Sequence, residues 1–456
     1  MRVAGVDIGT TTISIVVLDA ENGEMISRKT IEHGTGSFRK GEFSTSRIQD
    51  PERICALARE GLEELTKDCA DLAAIGMTGQ MHGMLYVDRE GNSVSPLYTW
   101  QDGSGDLPME NGRSAAQYLR ERVGNAATGY GVTTHCFLQK TGRIPEKAVK
   151  MTTISDYLAM KLCEVKEPVL GADMAASWGC FDLEKQVFQV EELEEAGIDT
   201  SYLPTVSGTH RVIGKTRAGV PVICSLGDNQ ASVIGSVRDL DDTVLLNIGT
   251  GSQISLGTSK FIRAEGSIEL RPCGEEGGFI MAGSCLCGGR AYAMLEQFYR
   301  SAPGCSSEEA LYAAMLEQAE AFLQEYGKEA AWNIYPAFSG TRSDPSVCGR
   351  IDGIRTTNFT PGAMTVGMIQ GILGELGDHY GVMCEMTGKK AHALVGSGNG
   401  IRRNPLMKRL AEEMYGMPML IPAYQEEAAC GAALQALSST GVTKSLAQAQ
   451  SMIRYL

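Results

Sequence analysis

One short block of sequence occurs twice in this chain, and this repeat constrains the fold more than any other feature. The first copy, at 7–14, reads DIGTTTIS, and the second, at 247–254, reads NIGTGSQI. Each copy follows a hydrophobic strand and leads into another apolar strand, so each is predicted to be the turn of a β-hairpin. Small residues in such turns leave backbone N–H groups and hydroxyls able to face an anion. Two such turns therefore predict two hairpins that grip one polyphosphate.

The pattern around each copy predicts two similar α/β halves. In the first half we expect strands at Val3–Gly9, Ile13–Leu18, Glu24–Ile31, Leu72–Thr78 and Val222–Leu226, helices at Pro51–Lys67 and Ile154–Leu162, and a loop at Gln101–Arg113. In the second half we expect strands at Thr243–Asn247, Gln253–Gly257 and Ala393–Val395, and helices at Gly289–Arg300, Ser307–Tyr326 and Pro361–Met386. The charged stretch Arg238–Asp242 is the predicted boundary and hinge, which gives domains 1–238 and 239–456. Duplicated halves of this kind typically bind their ligand in the cleft between them.

Composition excludes several classes of protein. The 456 residues are 43% hydrophobic and 21% charged, and 41 basic residues against 55 acidic ones give a net charge of -14. Because non-specific nucleic-acid binding needs a basic surface, we do not expect a nucleic-acid partner. No apolar run approaches the roughly 20 residues that cross a bilayer, and no signal peptide is evident, so we expect no membrane association. The 13 scattered cysteines indicate reduced thiols and a cytoplasmic protein.

Two aspartates stand where phosphoryl transfer would need them. Asp7 ends the first strand, where a carboxylate could hold hydrated magnesium against phosphates, whereas its counterpart Asn247 is neutral. Asp228 follows a predicted strand close to the domain boundary, where it could take a proton from a substrate hydroxyl. The alternative for Asp228 is a helix N-cap, and the local sequence favours neither role over the other.

Three further segments carry weaker signals. Gln80-Met81-His82 lies between glycines at a strand end and could bind sugar hydroxyls, although a histidine satisfied within a tight turn is the commoner case. Trp100-Gln101-Asp102 contains residue types that are common in sugar sites, although a simple surface turn is the default interpretation. The glycine-rich stretch 396–404 joins a strand to a helix and is a weak nucleotide signal. The small residues of 426–434 predict a helix that packs closely against its neighbours.

Taken together and in order, the motifs DIGTTT, GQMHG, TWQDG, GDNQA, NIGTGS, GSGNGIRRN and EEAACGAAL resemble those of the FGGY family of carbohydrate kinases, within the actin/hexokinase ATPase superfamily. The resemblance covers essentially the whole chain. It implies an α/β fold of two duplicated actin-like ATPase (ribonuclease H-like) domains with a cleft between them. It also implies an ATP-dependent, Mg²⁺-requiring kinase that phosphorylates an alcohol group of a sugar.

The same resemblance implies a role for each matching residue. Asp228 would be the catalytic base, and Asp7 would hold the metal. The residues that would contact the phosphates are Asp7, Gly9, Thr10, Thr11, Thr12, Gly249, Thr250, Gly251, Gly288 and Gly289. The adenosine site would include Gly396, Gly398 and Asn404, and the ketose site would include Gln80, Met81, His82 and Asp102.

Finer motif details resemble sedoheptulokinases more than xylulokinases or glycerol kinases. These details are TWQDG at 99–103, AASWG at 175–179 and the long loop GSGNGIRRN. We therefore expect a ketose kinase acting on a primary hydroxyl, with sedoheptulose first and D-xylulose or another pentulose as the alternative. From other classes, a superfamily ATPase without a sugar substrate and a catalytically silent sugar-binding protein stay open. The expected partners are a ketose and ATP, with a homodimer left open.

Overall fold

The structure, a computed structural model, describes residues 1–35, 43–110, 112–208, 211–264, 266–274, 277–301, 307–341, 344 and 346–456. The chain forms two compact units. Unit 1 consists of Met1–Arg238, Arg271–Phe279 and Glu426–Arg454, and unit 2 consists of Asp239–Leu270, Ile280–Gln425 and Tyr455–Leu456. The domain limits 1–238 and 239–456 stay a prediction.

The strands are β1 Arg2–Ile8, β2 Thr12–Asp19, β3 Met25–Glu32, β4 Ile48–Gln49, β5 Leu72–Gly79, β6 Leu85–Val87, β7 Leu97–Tyr98, β8 Lys150–Thr152, β9 Val169–Gly171, β10 Phe181–Asp182, β11 Val187–Phe188, β12 Thr205–Ser207, β13 Val212–Lys215, β14 Pro221–Ile223, β15 Leu226–Gly227, β16 Thr243–Ile248, β17 Ser252–Thr258, β18 Ile268–Pro272, β19 Phe279–Cys285, β20 Asn333–Tyr335, β21 Arg350–Asp352, β22 Ala393–Ser397 and β23 Met419–Leu420.

The α-helices are α1 Pro51–Thr66, α2 Ala115–Arg122, α3 Gly131–Lys140, α4 Ile154–Cys163, α5 Ala172–Ala176, α6 Val190–Glu195, α7 Asp228–Ser236, α8 Gly289–Arg300, α9 Glu308–Tyr326, α10 Pro361–Thr387, α11 Asn399–Arg402, α12 Pro405–Tyr415, α13 Glu427–Ser439 and α14 Leu446–Gln450. Short 3₁₀ helices span Gly103–Asp106, Thr200–Tyr202 and Lys328–Ala330.

The two main sheets repeat the same arrangement of strands. In unit 1 the order is β13-β14-β5-β1-β2-β3, with β5 parallel to both β14 and β1, and β1 antiparallel to β2. In the other sheet the order is β18-β19-β17-β16-β22-β23, with β22 parallel to both β23 and β16, and β16 antiparallel to β17. The sequence repeat therefore marks a repeat of structure, which confirms the predicted α/β class with duplicated halves.

The first hairpin is held against helices by apolar residues that alternate along its strands. Ile13, Ile15 and Val17 of β2 are buried in one cluster with residues of α1 and α4. Helix α1 begins as its sequence predicts, because Asp50 caps the N–H groups of Glu52 and Arg53 and Pro51 fills the first turn. This packing fixes β1 and β5, whose carboxyl ends carry the candidate site.

Most predicted elements agree with the structure to within one or two residues, but two differ. The predicted strand Val222–Leu226 is broken into β14 and β15 at Cys224 and Ser225. The predicted loop Gln101–Arg113 contains the 3₁₀ helix Gly103–Asp106, because the Asp102 carboxylate caps the N–H of Ser104; Asn111 lies outside the described residues.

Over the described ranges, no helix is long and apolar enough to cross a membrane. None of the cysteines in those ranges forms a disulfide. Cys285 and Cys287 are buried, as expected of small apolar thiols.

Candidate active site

The first turn brings Asp7 to the carboxyl edge of the unit 1 sheet. Asp7 pairs with Ser14 on β2 and with Thr78 on β5, and the turn closes through a hydrogen bond from Gly9 N to Thr12 O at 2.9 Å. Asp7 Oδ1 is buried and has no hydrogen-bond partner among the described atoms. Burial, together with the nearby charge of Asp228, raises the pKa of Asp7 to about 7.

Asp228 reaches the same edge from the other side of β5. Gly227 pairs with Gly79 of β5, and Ile8 of β1 pairs with Gly79 from the opposite side. Because neighbouring strands lie about 4.8 Å apart, the backbones after Ile8 and Gly227 are roughly 10 Å apart, within reach of two aspartate side chains and one ligand atom. Asp228 opens α7 as its first helical residue, whereas the cap position belongs to Gly227.

The Asp228 carboxylate is held by one local hydrogen bond. Its Oδ1 accepts the N–H of Asn229 at 2.7 Å, and Asn229 Oδ1 in turn accepts from Arg271 Nη1 at 2.9 Å. Burial raises the pKa of Asp228, while the Asn229 N–H and the Arg271 charge act in the opposite direction. A carboxylate with a raised pKa is a better proton acceptor than a fully solvated one.

Asp7 has the chemistry needed to hold a divalent cation. A buried carboxylate oxygen without a partner is a ready ligand, and Mg²⁺ characteristically takes one or two carboxylates while phosphates and water complete its shell. Within the described part of the chain, no group of three or more His, Cys, Asp or Glu side chains could hold a metal by itself. The residues present therefore fit a cation shared with a phosphorylated ligand and not a fully protein-bound metal.

Gln80 and the first turn are joined by a chain of amide hydrogen bonds. Gln80 is 2% exposed, and its Nε2 donates to Gln49 Oε1 at 3.1 Å. Gln49 Nε2 donates to the carbonyl oxygen of Thr10 at 2.7 Å. The Trp100 indole N–H also donates to this turn, to Thr10 Oγ1 at 3.0 Å. Gln80 Oε1 is buried and has no hydrogen-bond partner in the described part of the chain, as expected of a group that contacts a ligand.

His82 is held in an unusual backbone conformation by the segment around Ser177. Its φ is 72°, its N–H donates to Ser177 Oγ at 3.1 Å, and its Nδ1 contacts the Ser177 carbonyl oxygen at 2.6 Å. Because a carbonyl oxygen only accepts, Nδ1 must carry a proton, and in the neutral ring Nε2 is then an acceptor. The ring stacks on Tyr130, with centroids 4.6 Å apart, and the Trp178 indole N–H donates to the Gly83 carbonyl at 3.1 Å.

Asp102 and Met81 are more buried than ligand-facing residues usually are. Asp102 is 1% exposed, and its two oxygens accept the N–H groups of Arg47 at 2.8 Å and Ser104 at 3.0 Å. Met81 is 6% exposed, and its sulfur lies directly against Gly227. Each carboxylate oxygen of Asp102 keeps a second lone pair. The sugar-binding roles of Asp102 and Met81 stay predictions.

The second turn lies at the matching place in unit 2. Asn247 pairs with Gln253 on β17 and Ser397 on β22, as Asp7 pairs with Ser14 and Thr78. This turn is shorter by one residue than the first. The last pair of the first hairpin is Ile8 with Ile13, whereas that of the second is Ile248 with Ser252. Helix α8 begins directly on it: Gly289 N donates to Gly249 O at 2.8 Å, where a Cβ on Gly289 would stand only 2.3 Å from that oxygen.

A pocket of about 790 Å³ opens beside this second turn. Its lining includes the predicted residues Gly249, Thr250, Gly289, Gly398 and Asn404, together with Arg290, Tyr292, Ala293, Glu308, Glu309, Tyr312, Leu316, Asn399, Gly400, Arg403 and Met407. The pocket combines helix N-termini and N–H-rich turns at one end with aromatic and aliphatic side chains at the other. Such a combination suits a nucleotide, whose phosphates are anionic and whose base is flat and apolar.

Asn404 presents its side-chain amide to this pocket. Its Oδ1 caps α12 by accepting the N–H of Met407 at 2.9 Å, while its buried Nδ2 makes no hydrogen bond with good geometry to a described atom. Gly398 has a φ of 81°, and a Cβ on it would stand 2.4 Å from Ile248 O. Only glycine therefore fits where the loop after β22 crosses β16.

Of the cofactor residues predicted in unit 2, three do not line this pocket, and neither does Arg402. Gly396 lies within β22, and Gly251 and Gly288 lie where the second turn and the start of α8 meet. Arg402 Nη2 donates to the carbonyl of Tyr424 at 2.7 Å, whereas the next two residues, Arg403 and Asn404, line the pocket.

Several residues of the two sites carried no signal in the sequence. Gln49 reaches Gln80 across 31 positions, and Tyr130 reaches His82 across 48. In the pocket, Tyr292 stacks on Tyr312, with centroids 5.8 Å apart and ring planes 10° from parallel. Tyr292 lies in α8 and Tyr312 in α9, and the apolar periodicity of a helix does not show which of its residues meet a ligand.

Comparisons with known proteins agree with this geometry. The profile for the N-terminal domain of the FGGY family of carbohydrate kinases matches residues 2–235, and the profile for its C-terminal domain matches residues 247–440. A human sedoheptulokinase is 26% identical, with 94% of this chain and 96% of that protein aligned. A xylulose kinase from Streptomyces rubiginosus is 25% identical over 57% of this chain and 54% of its own length. The ligand-bound xylulose kinase of Lactobacillus acidophilus has the same fold, with a TM-score of 0.83 at 20% identity over 100% of this chain and 92% of that one.

Proposed function

Because this chain belongs to the FGGY family of carbohydrate kinases, and is thus an ATP-dependent sugar phosphotransferase, we propose that its acceptor is a ketose with a free primary hydroxyl and that sedoheptulose is the preferred one. The product would be sedoheptulose 7-phosphate. The chain's similarity to a sedoheptulokinase over nearly its whole length supports this order of candidates, as do the motifs TWQDG and AASWG.

The observation that carries the proposal is the meeting of two carboxylates at one sheet edge. Asp7 and Asp228 flank β5, close enough for the charge of one to raise the pKa of the other. The GQMHG segment continues from the end of the same strand. A base, an anion-facing turn and a set of polar groups for hydroxyls thus share one edge of unit 1, as transfer of a phosphoryl group to a sugar requires.

We assign the residues the following roles. Asp228 accepts the proton of the attacking primary hydroxyl. Gln80 and His82 orient the sugar, Thr10–Thr12 face the phosphates, and Asp7 Oδ1 would hold Mg²⁺. When bound, that cation would neutralise charge on the phosphate oxygens. In unit 2, the pocket beside Gly249 and Thr250 would take the nucleotide, with the Asn404 amide as a donor toward it.

The segment AASWG supports the choice of acceptor through its contacts. Ser177 fixes the backbone and ring of His82, and Trp178 fixes Gly83, so this segment holds the proposed sugar-binding turn in place. Relatives that differ in this segment would present the histidine differently. Acceptor preference is therefore expected to depend on the contacts of His82 with Ser177 and Tyr130 as well as on residues that touch the sugar.

The first test is an ADP-release screen with sedoheptulose, D-xylulose, L-ribulose, D-fructose and glycerol. We expect the highest kcat/KM with sedoheptulose. A higher value with D-xylulose would instead establish the pentulose alternative. ATP hydrolysis that none of the sugars stimulates would contradict the proposal and favour an ATPase without a sugar substrate.

The second test addresses the base. Asp228→Asn should retain ATP binding and lose sugar-dependent turnover by on the order of 10²-fold or more, because general-base catalysis contributes about that factor. Asp182→Asn is a matched control, since Asp182 accepts N–H groups in a surface turn of the same unit. Near-normal turnover of Asp228→Asn would remove Asp228 from the mechanism.

A further inference from the structure

The strand that leads to Asp228 is interrupted just before it. Val222 of β14 pairs with Ile75 of β5, and Leu226 of β15 pairs with Thr78. Between these two pairs the β14–β15 segment advances four residues while β5 advances three, so one extra residue bulges out. A bulge disrupts the ladder hydrogen bonds and redirects the chain that follows it.

Two buried aspartates accept hydrogen bonds from the residues around this bulge. Asp156 of α4 accepts the N–H of Ser225 at 2.9 Å through Oδ1 and the Ser225 hydroxyl at 2.6 Å through Oδ2. Asp173 of α5 accepts the N–H of Gly227 at 3.0 Å through Oδ2. These side chains are 0% and 1% exposed, so each acts on the backbone from inside the core.

Burying a carboxylate in such surroundings costs folding free energy, because the group loses its hydration. Neither aspartate forms an ion pair with a residue in the ranges that the structure covers, and Asp173 Oδ1 is buried with no hydrogen-bond partner there. An apolar side chain would fill the same space without the desolvation penalty. What the carboxylates provide, and an apolar side chain could not, is a fixed position for the segment that ends in Asp228.

Gly227 explains why this segment needs fixing. A Cβ there would stand 2.4 Å from Gln230 Oε1 and 2.8 Å from Met81 Sδ, so any other residue would displace these two side chains. Glycine leaves the backbone free to turn immediately before the catalytic residue. The hydrogen bond from its N–H to Asp173 removes part of that freedom.

We propose that Asp173, assisted by Asp156, is a positioning residue. Asp173 holds the N–H of Gly227 and Asp156 holds the N–H of Ser225. Together they set the direction in which Asp228 leaves the sheet and meets the acceptor hydroxyl. This inference rests on the proposed role of Asp228 as base. Neither buried aspartate touches substrate in this account. Both act through the backbone, where a displacement of about 1 Å can lower turnover on the order of 10²-fold.

The central experiment compares Asp173→Ala with Asp173→Asn, using ATP and the sugar with the highest turnover in the screen. Alanine removes the acceptor for the Gly227 N–H, whereas the asparagine carbonyl can replace it. We expect Asp173→Ala to lower kcat by on the order of 10²-fold with the KM for ATP unchanged, and Asp173→Asn to recover most of the loss. Asp182→Ala, which removes two backbone hydrogen bonds at a surface turn, is the control and should behave as wild type.

Combining variants separates positioning from general damage to the fold. If Asp173 acts through Asp228, then Asp173→Ala should change the residual turnover of Asp228→Asn by less than about 3-fold, because effects within one functional unit are not additive. A second large loss in that background would overturn the proposal. So would a wild-type kcat for Asp173→Ala.

Should Asp173→Ala not fold, Ser225→Ala gives a milder test, because it removes only the hydroxyl bond to Asp156 and keeps the bond from the Ser225 N–H. We expect kcat to fall, and an unchanged kcat would contradict the proposal. The outcomes also separate the two hypotheses. An inactive Asp228→Asn beside a fully active Asp173→Ala would refute only the positioning role, whereas a fully active Asp228→Asn would refute both.

Discussion

The contact between α7 and α13 offers the sharpest prediction about this fold. The two helices approach so closely that a Cβ on Gly431 of α13 would stand 1.8 Å from the carbonyl oxygen of Ala231 in α7. Ala231 lies three residues after Asp228, in the first turn of the helix that begins with that carboxylate. Gly431→Ala therefore pushes on the same helical turn that carries the proposed base.

The size of the effect follows from the distance. Carbon–oxygen contacts of this kind are normally no closer than about 3.3 Å, so α7 and α13 would have to separate by roughly 1.5 Å. Overpacking of a well-packed core costs about 1–3 kcal/mol. A shift of that size at Asp228 should also lower kcat by on the order of 10²-fold.

Urea unfolding and steady-state kinetics would measure both effects. Gly381→Ala in α10 is the matched control, because its Cβ would meet nothing within 4 Å and helix propensity alone should stabilise it by about 1 kcal/mol. If Gly431→Ala keeps the wild-type kcat and the wild-type free energy of unfolding, the two helices are not in the close contact described, and the link from α13 to Asp228 is refuted.

Two further predictions concern other parts of the chain. Burial raises the pKa of Asp173 to about 7 from 3.8, so the folded state favours the protonated form and the wild type loses stability as pH rises from about 4 to 7. Between pH 5 and pH 8 the free energy of unfolding of wild type should fall by about 3 kcal/mol relative to Asp173→Asn, and parallel urea curves for the two proteins would refute this shift. In unit 2, Gly398→Ala places a Cβ against Ile248 O in a backbone with positive φ, so calorimetry should show ATP binding at least about 10-fold weaker, while a variant that binds ATP normally would show that this loop does not shape the nucleotide pocket.

The sequence repeat predicted the fold class well because both copies carry local signals. Alternating apolar residues and turn residues at Gly9–Thr12 and Gly249–Gly251 identify the hairpins without any knowledge of their neighbours. The helices predicted near α1, α8 and α10 were confirmed for the same reason, since the periodicity of each lies within one segment, and α1 and α10 also have local N-caps in Asp50 and Thr360.

What local signals cannot predict is contact between distant segments. The residues 271–279 and 426–454 group with unit 1 although they lie far along the chain, and nothing in their composition indicates it. The same holds for Asp156 and Asp173, which act on a bulge that only strand pairing creates. The break of Val222–Leu226 was missed because its residues suit a continuous strand and the carboxylates that stabilise the bulge come from elsewhere.

The chain of amide hydrogen bonds from Thr10 to Gln80 fixes the orientation of the Gln80 side-chain amide. The oxygen of Thr10 belongs to the backbone and can only accept, so the Gln49 group facing it must be the amino group, and the other end of that amide must be the carbonyl. Gln80 must then turn its own amino group toward Gln49, and its buried carbonyl oxygen makes no hydrogen bond to a described atom. In the proposed ketose site, a sugar hydroxyl bound to this oxygen would have to donate its hydrogen. The backbone oxygen of Thr10 thus fixes the orientation of the Gln80 amide, and with it the polarity of the proposed sugar site.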